Sequence, residues 1–287
     1  GLAVGGKLAD FTEWDRKNYF YPDIPKGYQI SQYQYPLVTG GSLTGIAITR
    51  IHLEEDTARS IHDDKGGGSL INFNRSGVPL MELVTEPTIT SAKQAGNFAR
   101  ELQLLLRYLD VSEANMEKGE MRVEANISIL RVDLKNPDPR STLGIKVEVK
   151  NLNSFKSVES AIKYEVGRQT KLLEAGDRVV QETRGWDEIK GSTFSQRPKE
   201  SSHDYRYFPD PDLPKLRLSE IPEFQNLSAT IPELPWQKRE RYQALGLKPT
   251  EVEQYLGDFD LAKFFDEATA ELKDPELVKI VSNFIAN

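Results

Sequence analysis

The sequence predicts an α+β fold, mostly antiparallel sheet, followed by a smaller all-helical segment. Three observations carry this. Strict two-residue alternation runs through Met121–Ile129 and returns at Ile145–Lys150 after a polar loop holding Asn136, Pro137 and Pro139, the pattern of an antiparallel hairpin. Behind a Ser91/Gln94 capping box, Ala95, Phe98, Ala99, Leu102, Leu105, Leu106 and Leu109 recur at helical spacing. Near Ile221 the texture changes to a Pro-punctuated linker, Pro222–Pro235, and then to helix. The expected division is 1–220 and 221–287.

The bulk numbers narrow the function classes. The chain has 287 residues, 38% hydrophobic and 28% charged, with a net charge of −7. Such a chain does not coat a duplex, so any nucleic-acid contact is local or shared with a partner. The absence of cysteine excludes disulfides and thiolate metal sites and fits a reducing compartment, so a cytoplasmic location is expected. No apolar run approaches a membrane span, and no membrane partner is expected.

Taken in order, Trp14–Tyr33 interleaves six aromatics with Arg16, Lys17 and Lys26, and Pro22 and Pro25 prevent a helix. Such a stretch suits stacking on a base or nucleotide ring, or a tyrosine-rich strand on the core. Ile46–Asp56, IAITRIHLEED, reads as a strand ending in three acids. Alternation puts Arg50, His52 and Glu54 on one face and Ala47, Ile51, Leu53 and Glu55 on the other. Asp63–Ser69 is a Gly-rich hairpin loop without a phosphate-loop pattern. Leu70–Glu86 reads as two strands joined at Arg75–Pro79, with Leu80, Glu82, Val84 and Glu86 sharing a face.

If the Met121–Ile129 and Ile145–Lys150 strands pair about Asn136, Glu124 and Glu148 lie opposite each other. Arg122, Lys146, Lys150 or a divalent metal would then offset their repulsion. Asn151–Phe155 starts a second long helix, and Val179–Trp186 with Thr193–Arg197 forms a hairpin. Asp204–Pro214, DYRYFPDPDLP, is a second aromatic and cationic extended segment. In the helical part, Thr250/Glu253 reads as a capping box and Asp274–Pro275 as a helix start. Leu277, Ile280, Val281, Phe284 and Ile285 make one apolar stripe, as in a helical domain cut short. His52, His62 and His203 show no zinc-ligand spacing.

WDRKNYFYPDIPKGYQIS, RIHLEED, NFNRSGVPLMELVTEP, MRVEANISI, KVEVKNLNSF, QETRGWD and DYRYFPDPDLP, in this order, resemble the signature blocks of the B-subunit family of the glutamyl-tRNA(Gln)/aspartyl-tRNA(Asn) amidotransferases. The resemblance implies a cradle of antiparallel sheet of the glutamine synthetase/guanido kinase type. It implies an ATP- and Mg²⁺-dependent ligase of protein biosynthesis that phosphorylates the side-chain carboxylate of mischarged Glu-tRNA(Gln) or Asp-tRNA(Asn). Ammonia from a partner glutaminase A subunit then displaces the phosphate, and a small C subunit completes a heterotrimer.

By resemblance, Glu55, Glu124 and Glu148 match metal-binding positions, and Glu55, Glu148 and Lys150 are the expected catalytic groups. Arg50 and Arg206 are candidates for phosphate or carboxylate contact. Lys17, Tyr19 and Tyr21 are candidates for the nucleotide or the tRNA acceptor end. Because Glu54 and Glu55 sit on opposite strand faces, a bulge or the strand's end sets which one reaches the metal. Two departures stand out. Position 124 is usually Asp in the family, and the family's first strand, with a Glu and a His that complete the metal site, would precede Gly1; the tail domain is also missing. Competing expectations are a non-catalytic tRNA-binding scaffold and, from the paired acids alone, a glycoside hydrolase cleft.

Overall fold

The computed structural model describes residues 1–62, 68–129, 143–198 and 205–286. The predicted Gly-rich loop, the Asn136 loop, His203 and Asp204 fall largely or wholly outside these residues, as does the His62 side chain.

The strand Ile46–Glu55 is the axis of the N-terminal half. Val38–Thr39, Ser42–Leu43 and Pro79–Thr85 pair with it antiparallel, and Lys7–Leu8 adds to the edge beyond Val38–Thr39. On the Pro79–Thr85 side the register sets Glu82 opposite His52 and Leu80 opposite Glu54, with a shift between Val84 and Thr85. A three-stranded sheet of Phe208–Pro209, Asp15–Asn18 and Tyr28–Ser31 lies against the acidic end of the same strand, where Ser31 Oγ and the Ile30 amide reach Glu54 and Glu55. A four-stranded sheet runs in the order Val123–Ile127, Val147–Leu152, Glu182–Asp187, Ser192–Pro198.

The expected hairpin between Val123–Ile127 and Val147–Leu152 is antiparallel, but its register differs from the expectation. Asn126, not Glu124, stands opposite Glu148, and a shift between Val123 and Ala125 interrupts the ladder beside Glu124. A bulge gives the bulged strand an extra residue, which the alternation pattern cannot reveal. Val147–Leu152 pairs with Glu182–Asp187 in parallel, the intervening crossover being the helix Phe155–Glu174.

The helix Ala92–Tyr108 (α1) starts where Ser91 Oγ accepts the Gln94 amide, as expected. It is the spine between three cores. Phe98 and Leu105 pack with Val38, Ile46, Ile48 and Ile51. Ala95 faces a second core of Ile127, Val149, Leu152, Val158 and Trp186, shared with Phe155–Glu174 (α2). Leu104 and Tyr108 meet a third core, around Tyr242, Tyr255, Leu256 and Phe265, made by Pro235–Ala244 (α3), Pro249–Gly257 (α4), Phe259–Thr269 (α5) and Pro275–Ala286 (α6). Each fully buried aliphatic side chain contributes about 1.5–3 kcal/mol against solvent, so α1 ties the sheets together by area alone.

Two capping expectations divide. Asp274 Oδ1 accepts the Glu276 amide at the start of α6. Thr250 does not cap α4: the helix begins one residue earlier at Pro249, and Glu251 reaches back to the Lys248 amide at 3.0 Å. Proline fits the first helical position because it has no amide hydrogen to lose there. The expected α6 stripe is not the buried face: Val278 and Ser282 are buried, while Leu277, Ile280 and Phe284 are exposed and Val281 and Ile285 half-buried. Among the described residues no helix is long and apolar enough to cross a membrane.

Candidate functional site

Alternation along Ile46–Glu55 puts His52 and Glu54 on one face, and the antiparallel neighbour brings Glu82 beside them. Their ligand atoms lie within 4.8 Å of one another. Glu54 is held from several sides. Its Oε1 accepts from Ser31 Oγ at 2.9 Å and lies 3.3 Å from His52 Nε2 and 3.5 Å from Lys17 Nζ. Its Oε2 accepts from Gln29 Nε2 at 3.1 Å. Burial alone would raise the Glu54 pKa. The His52 hydrogen bond, the Lys17 charge and the Ser31 hydroxyl outweigh burial and bring it down to about 2. Arg50 Nε donates to His52 Nδ1 at 3.4 Å, so the neutral ring carries its proton on Nε2, toward Glu54.

Glu55 points the other way. Its Oε1 accepts the Ile30 amide at 2.9 Å and pairs with Lys26. Expected among the metal-facing acids, it lies outside the His52–Glu54–Glu82 group, because no bulge intervenes where Glu54 and Glu55 pair with Leu80 and Pro79 and strict alternation continues to the strand's end.

A second acidic cluster lies on the four-stranded sheet. Lys150 Nζ is 2.8 Å from Glu124 Oε1 and 3.7 Å from Glu148 Oε1, and Thr183 Oγ1 donates to Glu148 Oε2 at 2.8 Å. Glu124, Glu148 and Lys150 are therefore together, joined by the lysine rather than by direct opposition across the ladder. Although 48% of the Glu124 side chain meets solvent, desolvation by the packing around it raises its pKa, Lys150 opposes that, and Glu148 adds to it. Burial would lower the Lys150 pKa, but the two carboxylates more than offset this and raise it.

The segment after Asp204 links the clusters. Asn18 Nδ2 donates to the carbonyls of Arg206 (2.8 Å) and Tyr205 (3.3 Å), and the Asn18 amide donates to Tyr205 O at 2.9 Å. Clamped in this way, Arg206 adopts φ +44°, a left-handed conformation costly for a non-glycine residue. Lys17 Nζ stands 5.2 Å from the Tyr205 ring. Tyr205 is within electrostatic reach of Lys150, and Tyr207 within reach of Glu54, Glu82 and Arg50. Tyr21, Tyr19, Tyr205, Tyr207 and Tyr33 form a continuous ladder, with centroids 5.8, 5.9, 6.0 and 4.3 Å apart in that order. Burial pushes the Tyr19 and Tyr207 phenols well up, so both stay protonated donors.

The expected residues Lys17, Tyr19 and Arg50 thus lie with the Glu54 cluster and Glu124, Glu148 and Lys150 form the other, Tyr205 standing near both lysines, with Tyr21 at the end of the tyrosine ladder and the exposed Arg206 at the turn. The sequence alone does not single out His52 and Glu82 as partners of Glu54, or Asn18; Tyr205 and Tyr207 stand out in it only as part of the second aromatic and cationic segment. The shared faces of Arg50, His52 and Glu54, and of Leu80, Glu82 and Val84, carried the signal; only the register joins them.

The GatB/GatE catalytic domain family model matches residues 1–222. Over 305 residues the chain is 44% identical to the B subunit of the aspartyl/glutamyl-tRNA(Asn/Gln) amidotransferase of Synechocystis sp., covering 99% of this chain and 60% of that protein. It is 46% identical over 277 residues to the corresponding B subunit of Thermodesulfovibrio yellowstonii, covering 93% of this chain and 57% of that protein. It is 44% identical over 303 residues to the B subunit of the chloroplastic/mitochondrial glutamyl-tRNA(Gln) amidotransferase of Ostreococcus lucimarinus, covering 99% and 59%. The chain therefore spans about three fifths of the length of these curated relatives. With the family model matching most of its length, and that match holding both acidic clusters and the tyrosine ladder between them, this chain belongs to the GatB/GatE catalytic-domain family.

Proposed function

We propose that this chain is the carboxylate-activating part of a tRNA-dependent amidotransferase, a carbon–nitrogen ligase acting in the cytoplasm on Glu-tRNA(Gln) or Asp-tRNA(Asn). The observation that carries this reading is that two acidic clusters, each with its own lysine, are linked through Tyr205. The proposed reaction has two steps. A side-chain carboxylate oxygen of the aminoacyl-tRNA attacks the γ-phosphorus of ATP and ADP leaves. Ammonia then displaces phosphate from the acyl phosphate. The chain has no cysteine to serve a glutaminase, so ammonia comes from a partner A subunit, with a small C subunit completing the assembly.

The donor set fits Mg²⁺. Glu54 is ionised and fixed, Glu82 stands on the adjacent strand, and His52 Nε2 would be a third donor in the tautomer with its hydrogen on Nδ1, which requires Arg50 Nε to turn away from Nδ1. Bound there, the ion offsets the charge of the ATP phosphates. In the second cluster Glu124 and Glu148 would supply further carboxylate oxygens, and Lys150 would exchange its carboxylate partners for a phosphate oxygen. Lys17, Tyr19, Arg50 and Arg206 stand beside the Glu54 cluster and the segment that links it to Lys150, and would suit phosphate and the tRNA end. Glu55 acts from behind, fixing the strand end to Ile30 and Lys26. Residues 1–220 are read as a cradle related to glutamine synthetase and guanido kinases, and 221–287 as the start of a helical domain.

The test is titration of the assembled complex with Mn²⁺ and a non-hydrolysable ATP analogue, read by manganese paramagnetic resonance. This reading expects tight Mn²⁺ binding that Glu54→Gln and Glu82→Gln both weaken. Unchanged binding in both variants, with tRNA still retained, would leave only the scaffold reading.

A further inference from the structure

The acid run that ends the long strand leaves one carboxylate without a part in the proposed reaction. Glu54 belongs to the first cluster and Glu55 faces outward, but Asp56 continues the inward alternation: His52, Glu54 and Asp56 are all buried. The backbone of Asp56 is fixed where the strand meets its neighbour. Its amide donates to Val78 O at 2.7 Å, and its carbonyl accepts the Gly77 amide at 2.9 Å. Its side chain is 3% exposed, with Oδ1 accepting the Thr57 amide at 2.9 Å. Oδ2 faces two guanidiniums, Arg75 Nε at 2.9 Å and Arg122 Nη2 at 3.4 Å.

The two arginines come from different parts of the fold. Arg75 lies in the turn before Pro79–Thr85, and its Nη1 donates to Gly119 O at 2.6 Å. The Gly119 amide in turn donates to Met116 O, and Met116 packs in the second core. Arg122 directly precedes Val123–Ile127, two residues before Glu124. Alternation offers Arg122 as a counter-charge for Glu124 and Glu148. The structure gives that place to Lys150 and turns Arg122 to Asp56 instead. Among the described residues, the sheet holding Glu54 and the sheet holding Glu124 share no backbone ladder. Side-chain contacts must therefore hold the two clusters at their spacing. With Asp56 ionised, both arginines are drawn to one oxygen; without that charge they repel each other.

We infer that Asp56 is a positioning residue. Through Arg122, and through Arg75 and the Gly119 turn, it sets the spacing between the Glu54 cluster and the Glu124–Glu148–Lys150 cluster. Its effect on the reaction rests on the proposed carboxylate activation; the spacing itself does not.

The test pairs a distance with kinetics. The chain has no cysteine, so spin labels attach only where one is introduced. Met81→Cys on the first sheet and Ile189→Cys in the turn of the second are both exposed positions. Pulsed dipolar resonance on the doubly labelled full chain should give a narrow distance distribution, which Asp56→Asn shifts or broadens. In the assembled complex, Asp56→Asn should lower kcat about tenfold or more and leave KM for ATP and for aminoacyl-tRNA within about twofold. An unmoved distance would overturn the inference whatever the activity did. So would a moved distance with normal kcat, or a raised KM with normal kcat, which would make the arginines substrate contacts. Should Asp56→Asn fail to fold, Arg122→Met cuts the same contact from a side chain that is 63% exposed. It should move the distance and lower kcat in the same sense, and no movement would overturn the inference equally. A parent complex that forms no acyl phosphate would defeat the proposed function, while the distances would still decide whether Asp56 sets the spacing.

Discussion

The two acidic clusters are opposites in their electrostatics. Around Glu54, burial is outweighed by a lysine, an imidazole and a hydroxyl, and the carboxylate is ionised at any working pH. Around Glu124, desolvation and a second carboxylate win over one lysine, and the proton is held more tightly. The first arrangement is a carboxylate already ionised and held in one orientation before any cation arrives. The second is a charge-sharing trio whose lysine has somewhere else to go. On the proposed reading, one cluster would stay fixed while the other responds to substrate.

The largest effect expected from breaking this contrast is at Glu54. Glu54→Gln removes the fixed anion and leaves Lys17 without its nearest carboxylate, so amide formation by the complex should fall by about a hundredfold or more. Stability should change with a characteristic pH dependence. A carboxyl lowered from 4.5 to about 2 stabilises the fold fully above pH 4.5, and that contribution disappears as pH falls toward 2. It amounts to roughly 3 kcal/mol. Denaturant melts between these pH values should show a steep acid limb in the parent chain and a flattened one in Glu54→Gln.

Next comes the clamp between the clusters. Asn18→Ala removes the side-chain bonds to the Tyr205 and Arg206 carbonyls, and the left-handed Arg206 turn loses part of what holds it. Tyr205 and Tyr207 are then held less firmly, although the Asn18 amide still reaches the Tyr205 carbonyl and Tyr33 still stacks on Tyr207. Activity should fall roughly tenfold or more through kcat, with thermal stability reduced by only about 1–2 kcal/mol. A large stability loss with normal kcat in the surviving enzyme would show that the clamp serves the fold alone.

The sequence carries these features unequally. The α1 stripe, Ser91 and the strand Ile46–Glu55 are written in periodicity, which burial enforces residue by residue. The pairing of His52 with Glu82 is not, because it depends on register between strands separated by a long excursion. The departure at Glu124 has the same origin: the shift beside Ala125 adds a residue that no alternation pattern reports. Arg206 is harder still. Nothing about an arginine between two tyrosines announces a positive φ; Asn18, far away in sequence, is what binds its carbonyl.

Glu124→Gln sharpens the comparison from the other side. A carboxyl whose folded pKa is raised costs stability as pH climbs above its ordinary 4.5, the reverse of Glu54. Removing that charge should therefore stabilise the chain slightly at neutral pH, by less than about 1 kcal/mol because the group is half open to water. Activity should still drop about tenfold, since Lys150 loses its closest partner. Stability and activity moving in opposite directions would mark Glu124 as held for function at the expense of the fold.

The smallest effect is expected one residue from the largest. Glu55 shares its strand end with Glu54, yet it answers to Lys26 and the Ile30 amide on the outer face. Lys26 is itself 42% exposed, so that ion pair is screened and contributes at most about 1 kcal/mol. Glu55→Gln keeps an oxygen for the Ile30 amide and should leave kcat within about twofold of the parent. Parallel kinetics of Glu54→Gln and Glu55→Gln on the assembled complex make this a direct reading of strand phase. If Glu55→Gln proved the more damaging of the two, the alternation would have to break when ligand binds. Glu55 would then have to leave Lys26 and turn toward the Glu54 cluster.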